Sequence, residues 1–253
     1  MDQKPIRIFI GYDNRIPVAF QVLVHSITQR SSVPVSICPI NVTNLKAIFQ
    51  REANNLQSTE FSFSRFLTPY LSGYDGWSIF MDNDIILLDD IKKLWDLRDD
   101  KYSVMCVKHE QNPVEAKKFM GAVQTKYEKK NWSSVILFNN AKCKDLTPEY
   151  VNTASGLDLH QFKWLGDDNL IGAIPLEWNY LAAYNTPIPN PKLVHYTIGG
   201  PFYPEFQDTE FSKEWFEEFA SANYCKEANL FALTEAATHK VSKNDLQLQF
   251  KTS

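Results

Sequence analysis

The chain has 253 residues, of which 44% are hydrophobic, and this is enough to bury the core of one large globular domain. Its net charge of −4 provides no general basic face, which excludes duplex nucleic acid as a main partner. No apolar run approaches the roughly 18 residues of a membrane-spanning helix, so we expect no transmembrane segment.

The first strand-like run covers residues 7–10, and no charged and then apolar leader precedes it. A secretory signal is therefore not expected, and the protein is predicted to be cytoplasmic. The four cysteines are scattered, without the spacing of disulfide frameworks or metal-binding pairs, and are expected to be reduced thiols. They are Cys38, Cys106, Cys143 and Cys225.

A βαβ unit is predicted at the start of the chain. The apolar run at 7–10 is followed by residues with turn chemistry at 11–14. Apolar residues at three-and-four spacing over 19–27 indicate a helix, and residues 35–42 are predicted to form a second strand. Such units pair their strands in parallel. Ligands bind beyond the carboxyl ends of parallel strands, which is where the 11–14 loop falls.

The stretch 77–90 is an apolar run that carries two acids separated by one residue, Asp82 and Asp84. It is predicted to be a buried strand with charge at its tip, between a helical stripe at 63–71 and a short helix that begins at Asp90. Strand side chains alternate, so the two acids face the same way if strand geometry persists through them. Paired carboxylates suit Mg²⁺ or Mn²⁺. Taken alone, however, such a pair is more often an acidic turn.

The second half of the chain contains two further β-rich runs, at 102–107 and 135–138, separated by a lysine-rich connection at 108–131. His195 follows a short apolar run and precedes two glycines. An aromatic stripe between 211 and 219 is expected to pack in the core. An acceptor platform or a peripheral contact with a membrane surface is its alternative.

An Asp-x-Asp at a strand tip serves several reactions. A phosphatase of the haloacid dehalogenase type is disfavoured because Ile86 stands where that motif has Thr or Val. Nucleotide hydrolysis by a phosphate-loop enzyme is disfavoured because a Gly-x-x-x-x-Gly-Lys loop is absent. The remaining chemistry is metal-assisted departure of a nucleoside diphosphate, with a divalent ion on Asp82 and Asp84. The 11–14 loop is the candidate site for the base and ribose, and His195 is the candidate third ligand.

Four stretches, in the same order, resemble the glycosyltransferase family 8 pattern. Residues 63–95 resemble its Ser-x-x-Arg-type helix, apolar strand, Asp-x-Asp and short Leu-Trp helix. Residues 131–139 are similar to its Asn-Ser-Gly-Val-x-Leu-Phe-Asn strand, residues 167–170 to its Asp-Gln-Asp-x-Leu loop, and His195 to its His-x-x-Gly segment. The resemblance covers roughly residues 6–203, and the ordered set is more specific than any single piece.

This resemblance implies a GT-A fold, a Rossmann-like α/β domain with a mixed, mostly parallel central sheet. It also implies a hexosyltransferase that uses a UDP-sugar donor and Mn²⁺ (or Mg²⁺), and that retains the anomeric configuration. The acceptor is expected to be a saccharide or glycan. Residues 1–203 are predicted to form the glycosyltransferase domain, and residues 204–253 a helical or tail extension packed on it.

The resemblance further implies roles for individual residues. Asp82, Asp84 and His195 would bind the metal. Asp167 and Asp168 would contact sugar hydroxyls near the reacting centre and are the catalytic candidates. Tyr12 and Asp13 would hold the uridine, Asp82 would approach the ribose, and Arg65 would face the phosphate or sugar. The full set of implied donor-binding residues is Gly11, Tyr12, Asp13, Asn14, Arg65, Asp82, Asn83, Gly199 and Gly200.

One departure from the family pattern leaves rival functions open. The family's motif continues to Lys-Pro-Trp, whereas residues 199–203 contain no lysine, and backbone N–H groups of Gly199 and Gly200 would have to replace it as an anion nest. A domain that binds a sugar nucleotide or glycan without turnover is the non-enzymatic alternative. A nucleotidyltransferase is the other, but it would need a basic, glycine-rich loop after the first strand, which residues 11–14 lack.

Overall fold

A computed structural model describes residues 4–52, 57–110 and 128–224. Within these residues nine strands and six α-helices form a mixed α/β arrangement. The strands are β1 (Ile6–Tyr12), β2 (Val35–Asn41), β3 (Trp77–Met81), β4 (Ile85–Leu87), β5 (Val104–Cys106), β6 (Val135–Asn139), β7 (Ile171–Ala173), β8 (Tyr180–Leu181) and β9 (Leu193–His195). The helices are α1 (Pro17–Arg30), α2 (Thr68–Leu71), α3 (Ile91–Trp95), α4 (Pro148–Thr153), α5 (Gly156–His160) and α6 (Ser212–Ala222).

The central sheet has the order β2-β1-β3-β6-β5-β7 among the described residues. Strand β1 pairs in parallel with β2 and with β3, and β5 pairs in parallel with β7, whereas β6 is antiparallel to both of its neighbours. The mixed, mostly parallel sheet and the βαβ unit are therefore confirmed. The predicted loop at 11–14 is corrected at its start, because β1 continues through Gly11 and Tyr12 and the turn begins at Asp13.

The apolar run 77–88 forms two strands instead of the predicted single one. Strand β3 ends at Met81, a turn holds residues 82–84, and β4 belongs to a second sheet with the order β4-β9-β8. Strand β9 is antiparallel to β4 and parallel to β8. The two acids consequently lie where the chain passes from one sheet to the other, and not on a continuing strand.

All five residues of β3 are buried, as expected for a strand covered on both faces of its sheet. On one face Ile79 packs in a cluster with Leu23 and Ile27 of α1. On the other, Phe80 packs in a phenylalanine-rich cluster that includes Phe66. Burial on both faces explains why the sequence of this strand is a continuous apolar run instead of an alternating pattern.

The helical stripe predicted at 63–71 is also broken in two. Residues Ser64–Leu67 form a 3-10 turn, and the short helix α2 then begins at Thr68. Pro69 stands at the start of α2, where a missing backbone N–H costs no intrahelical hydrogen bond. Phe63, Phe66 and Leu67 of the stripe are buried, whereas Tyr70 is 37% exposed. The proline starts a new turn in place of one continuous helix.

Helix α6 packs against α1, the helix that follows the first strand. The carboxylate of Glu218 is buried, forms an ion pair with Arg30 at 2.6 Å and contacts Nδ1 of the His25 ring. Trp215 is buried and stacks on Phe219, while Phe216 is 40% exposed, so the aromatic stripe is only partly in the core. The predicted division of the chain after residue 203 stays a prediction.

The remaining sequence predictions are met only in part by the described residues. Cys38, Cys106 and Cys143 carry free thiols, and Cys225 lies outside the described residues. Most of the lysine-rich connection, residues 111–127, lies outside them as well. No helix in the described part of the chain has both the length and the apolar character needed to cross a membrane.

Replacing Glu218 with alanine is expected to lower the free energy of unfolding by about 2 kcal/mol, because it leaves Arg30 and His25 beside a buried gap without their acceptor. Urea denaturation of the two proteins measures the difference. Glu217→Ala is the matched control, since Glu217 is an exposed neighbour that forms an ion pair with exposed Lys213. Equal stability losses in both variants would contradict the role of Glu218.

Candidate active site

Backbone hydrogen bonds bring the three predicted metal ligands together. The N–H of Asp82 donates to the carbonyl of Ser134 at 2.8 Å, and the carbonyl of Asp84 accepts from the N–H of Tyr196 at 2.9 Å. Strand β9 lies antiparallel beside β4, with His195 opposite the residue that follows Asp84. The turn between the two sheets is therefore fixed at both ends, and one histidine is placed beside it.

The side chains of Asp82, Asp84 and His195 form a three-ligand cluster. One ligand atom from each lies within 4.8 Å of the others, and all three residues are less than a tenth exposed. Bond lengths of about 2.0–2.2 Å to a divalent ion allow ligand atoms to lie about 3–4 Å apart around it. Two carboxylates and one imidazole are ligands that Mn²⁺, Mg²⁺ and related ions accept. The residues present therefore fit a divalent metal.

Arg65 is buried next to this cluster. Its Nη1 atom lies 2.7 Å from the carboxylate of Asp82 and donates to the carbonyl of Ser133 at 2.8 Å, while its Nε donates to the carbonyl of Ser62 at 3.0 Å. The guanidinium carbon lies 5.2 Å from the centre of the Phe80 ring. Arg65 thus compensates the negative charge of Asp82. Its predicted contact with donor phosphate or sugar stays a prediction.

The turn after β1 is held by a second ion pair. Asp13 is fully buried, and its carboxylate accepts from Nη2 of Arg15 at 2.5 Å and from Nε at 2.8 Å. The hydrogen bond to Asp13 raises the pKa of Arg15. Asn14 is exposed and donates from its backbone and side chain to Glu60, at 2.9 and 2.7 Å. These contacts give the predicted uridine loop a defined shape.

Strand pairing brings that loop to the metal cluster. Strands β1 and β3 are parallel, and Ile10 pairs with Met81. The residues that follow these two, Gly11 and Asp82, therefore lie side by side. Asn83 is fully buried, and neither atom of its side-chain amide has a hydrogen-bond partner among the described residues. A buried amide without a partner is costly. A polar group of a bound ligand would relieve that cost.

Neither Gly199 nor Gly200 has a positive φ, so neither is the left-handed residue of an αR-αL nest. The anion nest predicted at these two glycines stays a prediction. Their lack of a side chain instead makes room for aromatic rings: a Cβ on Gly199 would lie 2.4 Å from the ring of Phe206, and one on Gly200 would lie 2.2 Å from the ring of Phe202. The predicted contact of these glycines with the donor stays a prediction.

The two predicted catalytic acids lie at the start of the 3-10 turn Asp168–Leu170 before β7. The side chain of Asp167 accepts from the N–H of Asn169 at 2.9 Å, which caps the turn. The exposed carboxylate of Asp168 pairs with Lys129, whose ammonium also donates to the carbonyl of Gln161 at 2.9 Å. The contacts described for these two acids are thus with the turn and with Lys129, and their catalytic role stays a prediction.

A buried polar network behind His195 was not predicted from the sequence. Nδ1 of His195 lies 3.2 Å from Oδ1 of Asn179, whose Nδ2 lies 3.1 Å from Nε2 of His109 and 2.9 Å from Oγ of Ser134. Burial lowers the pKa of His109 to about 3, and the neighbouring His195 acts in the same direction. His109 is therefore a neutral imidazole at ordinary pH.

Tyr203 is a second residue that sequence reasoning missed. Burial raises the pKa of its phenol to about 12; the nearby charge of Arg15 opposes this shift, and the charges of Asp13 and Asp84 add to it. The phenol therefore stays protonated, and it lies close enough to Arg15, Asp13 and Asp84 to be affected by their charges. Tyr203 belongs to the stretch 199–203, which lacks the lysine of the family pattern.

Replacing Arg65 with alanine is expected to lower the free energy of unfolding of the metal-free protein by about 3 kcal/mol, because it leaves the buried carboxylate of Asp82 uncompensated. A double-mutant cycle measured by urea denaturation tests the reason. The same truncation in an Asp82→Asn background should cost clearly less. Equal costs in both backgrounds would show that Arg65 stabilises the fold without compensating Asp82.

Similarity to known proteins is found both in the sequence and in the fold. No protein-family model matches the chain. The chain is 52% identical over 231 residues to Protein CDI of Arabidopsis thaliana, covering 88% of this chain and 89% of that protein.

Solved glycosyltransferases share the fold at low sequence identity. The bifunctional glycosyltransferase WbbM matches with a TM-score of 0.63 at 15% identity. The match covers 86% of this chain but only 50% of WbbM. GlyE of Streptococcus pneumoniae matches with a TM-score of 0.55 at 16% identity, over 85% of this chain and 60% of GlyE. The galactosyltransferase LgtC, solved with donor and acceptor sugar analogues, matches with a TM-score of 0.54 at 12% identity, over 88% of this chain and 98% of LgtC. The predicted GT-A fold is confirmed.

Proposed function

Since the chain belongs to the family of Protein CDI and has the GT-A fold, we propose that it is a glycosyltransferase that moves a hexose from a UDP-sugar to a saccharide or glycan acceptor, with retention. The observation that carries this proposal is the convergence of Asp82, Asp84 and His195 beside the carboxyl end of β1. Carboxyl ends of parallel strands are where α/β sheets bind nucleotides. A metal-binding cluster at that edge suits a nucleotide diphosphate.

Asp82, Asp84 and His195 would hold Mn²⁺ or Mg²⁺. Once bound, such an ion supplies charge neutralisation for a departing diphosphate. Two features of the chain support this site: Arg65 forms an ion pair that orients the carboxylate of Asp82, and strand pairing sets His195 against Asp84. With two carboxylates and one guanidinium, the described cluster has one negative charge in excess, which favours a cation.

The residues at the end of β1 and in the turn after β3 would take the nucleoside. Tyr12 and Asp13 would contact the uridine, with Asp13 held in place by Arg15. The side-chain amide of Asn83, which has no hydrogen-bond partner among the described residues, would hydrogen-bond to the ribose. Gly11 lies in β1 near its end, and Asn14 lies in the turn that follows β1. Gly199 and Gly200 would bring backbone N–H groups toward the diphosphate from the segment after β9, with the phenol of Tyr203 beside them as a hydrogen-bond donor in the absence of a lysine.

Asp167 and Asp168 would contact hydroxyls of the transferred sugar near the reacting centre. Neither needs to act as a nucleophile. In a front-face reaction the acceptor hydroxyl loses its proton to the leaving phosphate, and the sugar keeps its anomeric configuration. Asp168 is exposed and paired with Lys129, which suits a residue that meets a hydroxyl-rich substrate from solvent.

A panel of UDP-sugars tests the proposal. The protein is incubated with each donor, Mn²⁺ and a set of saccharide acceptors, and release of UDP is measured. Metal-dependent release with at least one donor is expected. Donor binding without release for every donor and acceptor would favour the non-catalytic alternative, and the absence of any metal-dependent donor binding would overturn the proposal.

Asp84→Asn is expected to weaken Mn²⁺ binding at least tenfold and to abolish Mn²⁺-dependent UDP release, because it removes the charge of one metal ligand. Calorimetric titration with Mn²⁺ measures the first effect, and circular dichroism checks the fold. Asp89→Asn is the matched control, since Asp89 pairs with Lys93 outside the cluster. Mn²⁺ affinity that survives in Asp84→Asn would refute this ligand assignment.

A further inference from the structure

Asn179 is the centre of the buried network behind His195. The residue is fully buried, follows the 3-10 turn Leu176–Trp178 and immediately precedes β8. Its side-chain amide has one oxygen and two N–H groups, and each faces a polar atom: Nδ1 of His195 at 3.2 Å, Nε2 of His109 at 3.1 Å and Oγ of Ser134 at 2.9 Å. An amide with every group engaged has one defined orientation.

Ser134 determines that orientation. Its hydroxyl hydrogen is used, because Oγ donates to the carbonyl of Asn131 at 2.7 Å. Towards Asn179 the Ser134 oxygen can therefore only accept, so the NH₂ group of Asn179 must face it. The carbonyl oxygen of the amide then necessarily faces His195.

The orientation of the amide in turn determines the tautomer of His195. Since Oδ1 of Asn179 is an acceptor, Nδ1 of His195 must carry a hydrogen, and Nε2 is the ring nitrogen left to bind a metal. Nε2 faces Oδ1 of Asp84 at 3.3 Å. A metal bound by Asp84 would therefore meet the ring nitrogen that Asn179 leaves available.

His109 supports the same arrangement from the far side. Its Nε2 accepts the second N–H of Asn179, and its own carbonyl accepts from Nε1 of Trp132 at 3.0 Å, which fixes the residue in place. A protonated His109 would have no lone pair to offer Asn179. The deep burial of this histidine keeps it neutral and so preserves the acceptor.

We propose that Asn179 is a positioning residue that sets the metal-ligating tautomer of His195, with Ser134 and His109 holding its amide in the required orientation. This inference rests on the proposed metal-dependent function of the site. It assigns a role to three residues that do not contact the metal, the donor or the acceptor in that function.

Metal affinity provides the first test. Asn179→Leu removes the acceptor at nearly constant volume and is expected to weaken Mn²⁺ binding by about 10–100-fold, as measured by the electron paramagnetic resonance signal of free Mn²⁺. Asn179→Asp keeps an acceptor for His195. His109 can change tautomer to donate to the new carboxylate, and the Ser134 hydroxyl can turn away from the Asn131 carbonyl to do the same, so this variant should keep most of the affinity. Asn140→Leu is the matched control, because Asn140 is another fully buried asparagine, bonded to Ser78 at the opposite end of β3.

The tautomer itself provides a second, independent test. Two-bond ¹H–¹⁵N spectra of the metal-free protein at pH 8 should show His195 protonated at Nδ1 in the wild type. In Asn179→Leu the hydrogen should move to Nε2, where it can donate to Asp84. A loss of packing alone would not change the protonated nitrogen, so this readout separates positioning from general destabilisation.

The outcomes separate this inference from the proposed function. If the wild type does not bind Mn²⁺, the metal-dependent function fails and the inference fails with it. If the wild type binds Mn²⁺ but Asn179→Leu binds it equally well, or if wild-type His195 carries its hydrogen on Nε2, only the role of Asn179 is overturned. If Asn179→Leu does not fold, the tautomer of His195 in the wild type and the Mn²⁺ affinity of Asn179→Asp still test the role of Asn179.

Discussion

Two carboxylates that are buried side by side are the constraint on which the site depends. Asp82 and Asp84 are each only 8% exposed, and burying ionised groups is costly unless opposite charge and hydrogen bonds compensate them. Arg65 compensates the first, and His195 faces the second. Each compensating residue needs support of its own, which Ser133 gives to Arg65 and Asn179 gives to His195. A divalent cation would compensate the negative charge that remains.

The sequence predicted those features that depend on neighbouring residues in the chain. The period of apolar residues in α1 and the apolar runs of β1 and β3 are local patterns, and the structure places all three as expected. The three candidate metal ligands were also identified from the sequence, because an Asp-x-Asp after a buried strand and a histidine before two glycines are short motifs. The structure brings them together within 4.8 Å although His195 is more than a hundred residues away along the chain.

Other features could not be predicted because they depend on contacts between distant segments. An apolar run that crosses from one sheet to another looks the same in sequence as one long strand, so the break at Met81 was missed. His109 and Asn179 are 70 residues apart and carry no local motif, so their contact was unpredictable. Gly199 and Gly200 are small because aromatic rings occupy the space of a side chain, which sequence alone could not distinguish from a need for positive φ.

The break between the sheets also ties the site to the mechanics of the fold. Asp82 follows a strand of the central sheet, whereas His195 belongs to the second sheet, so an ion held by both would act as a crosslink between the two. Binding energy and sheet packing would then be linked: a bound ion would resist separation of the sheets, and their packing would set the distance between the ligands. Substitutions far from the cluster that shift one sheet against the other would therefore tune metal affinity without touching a ligand.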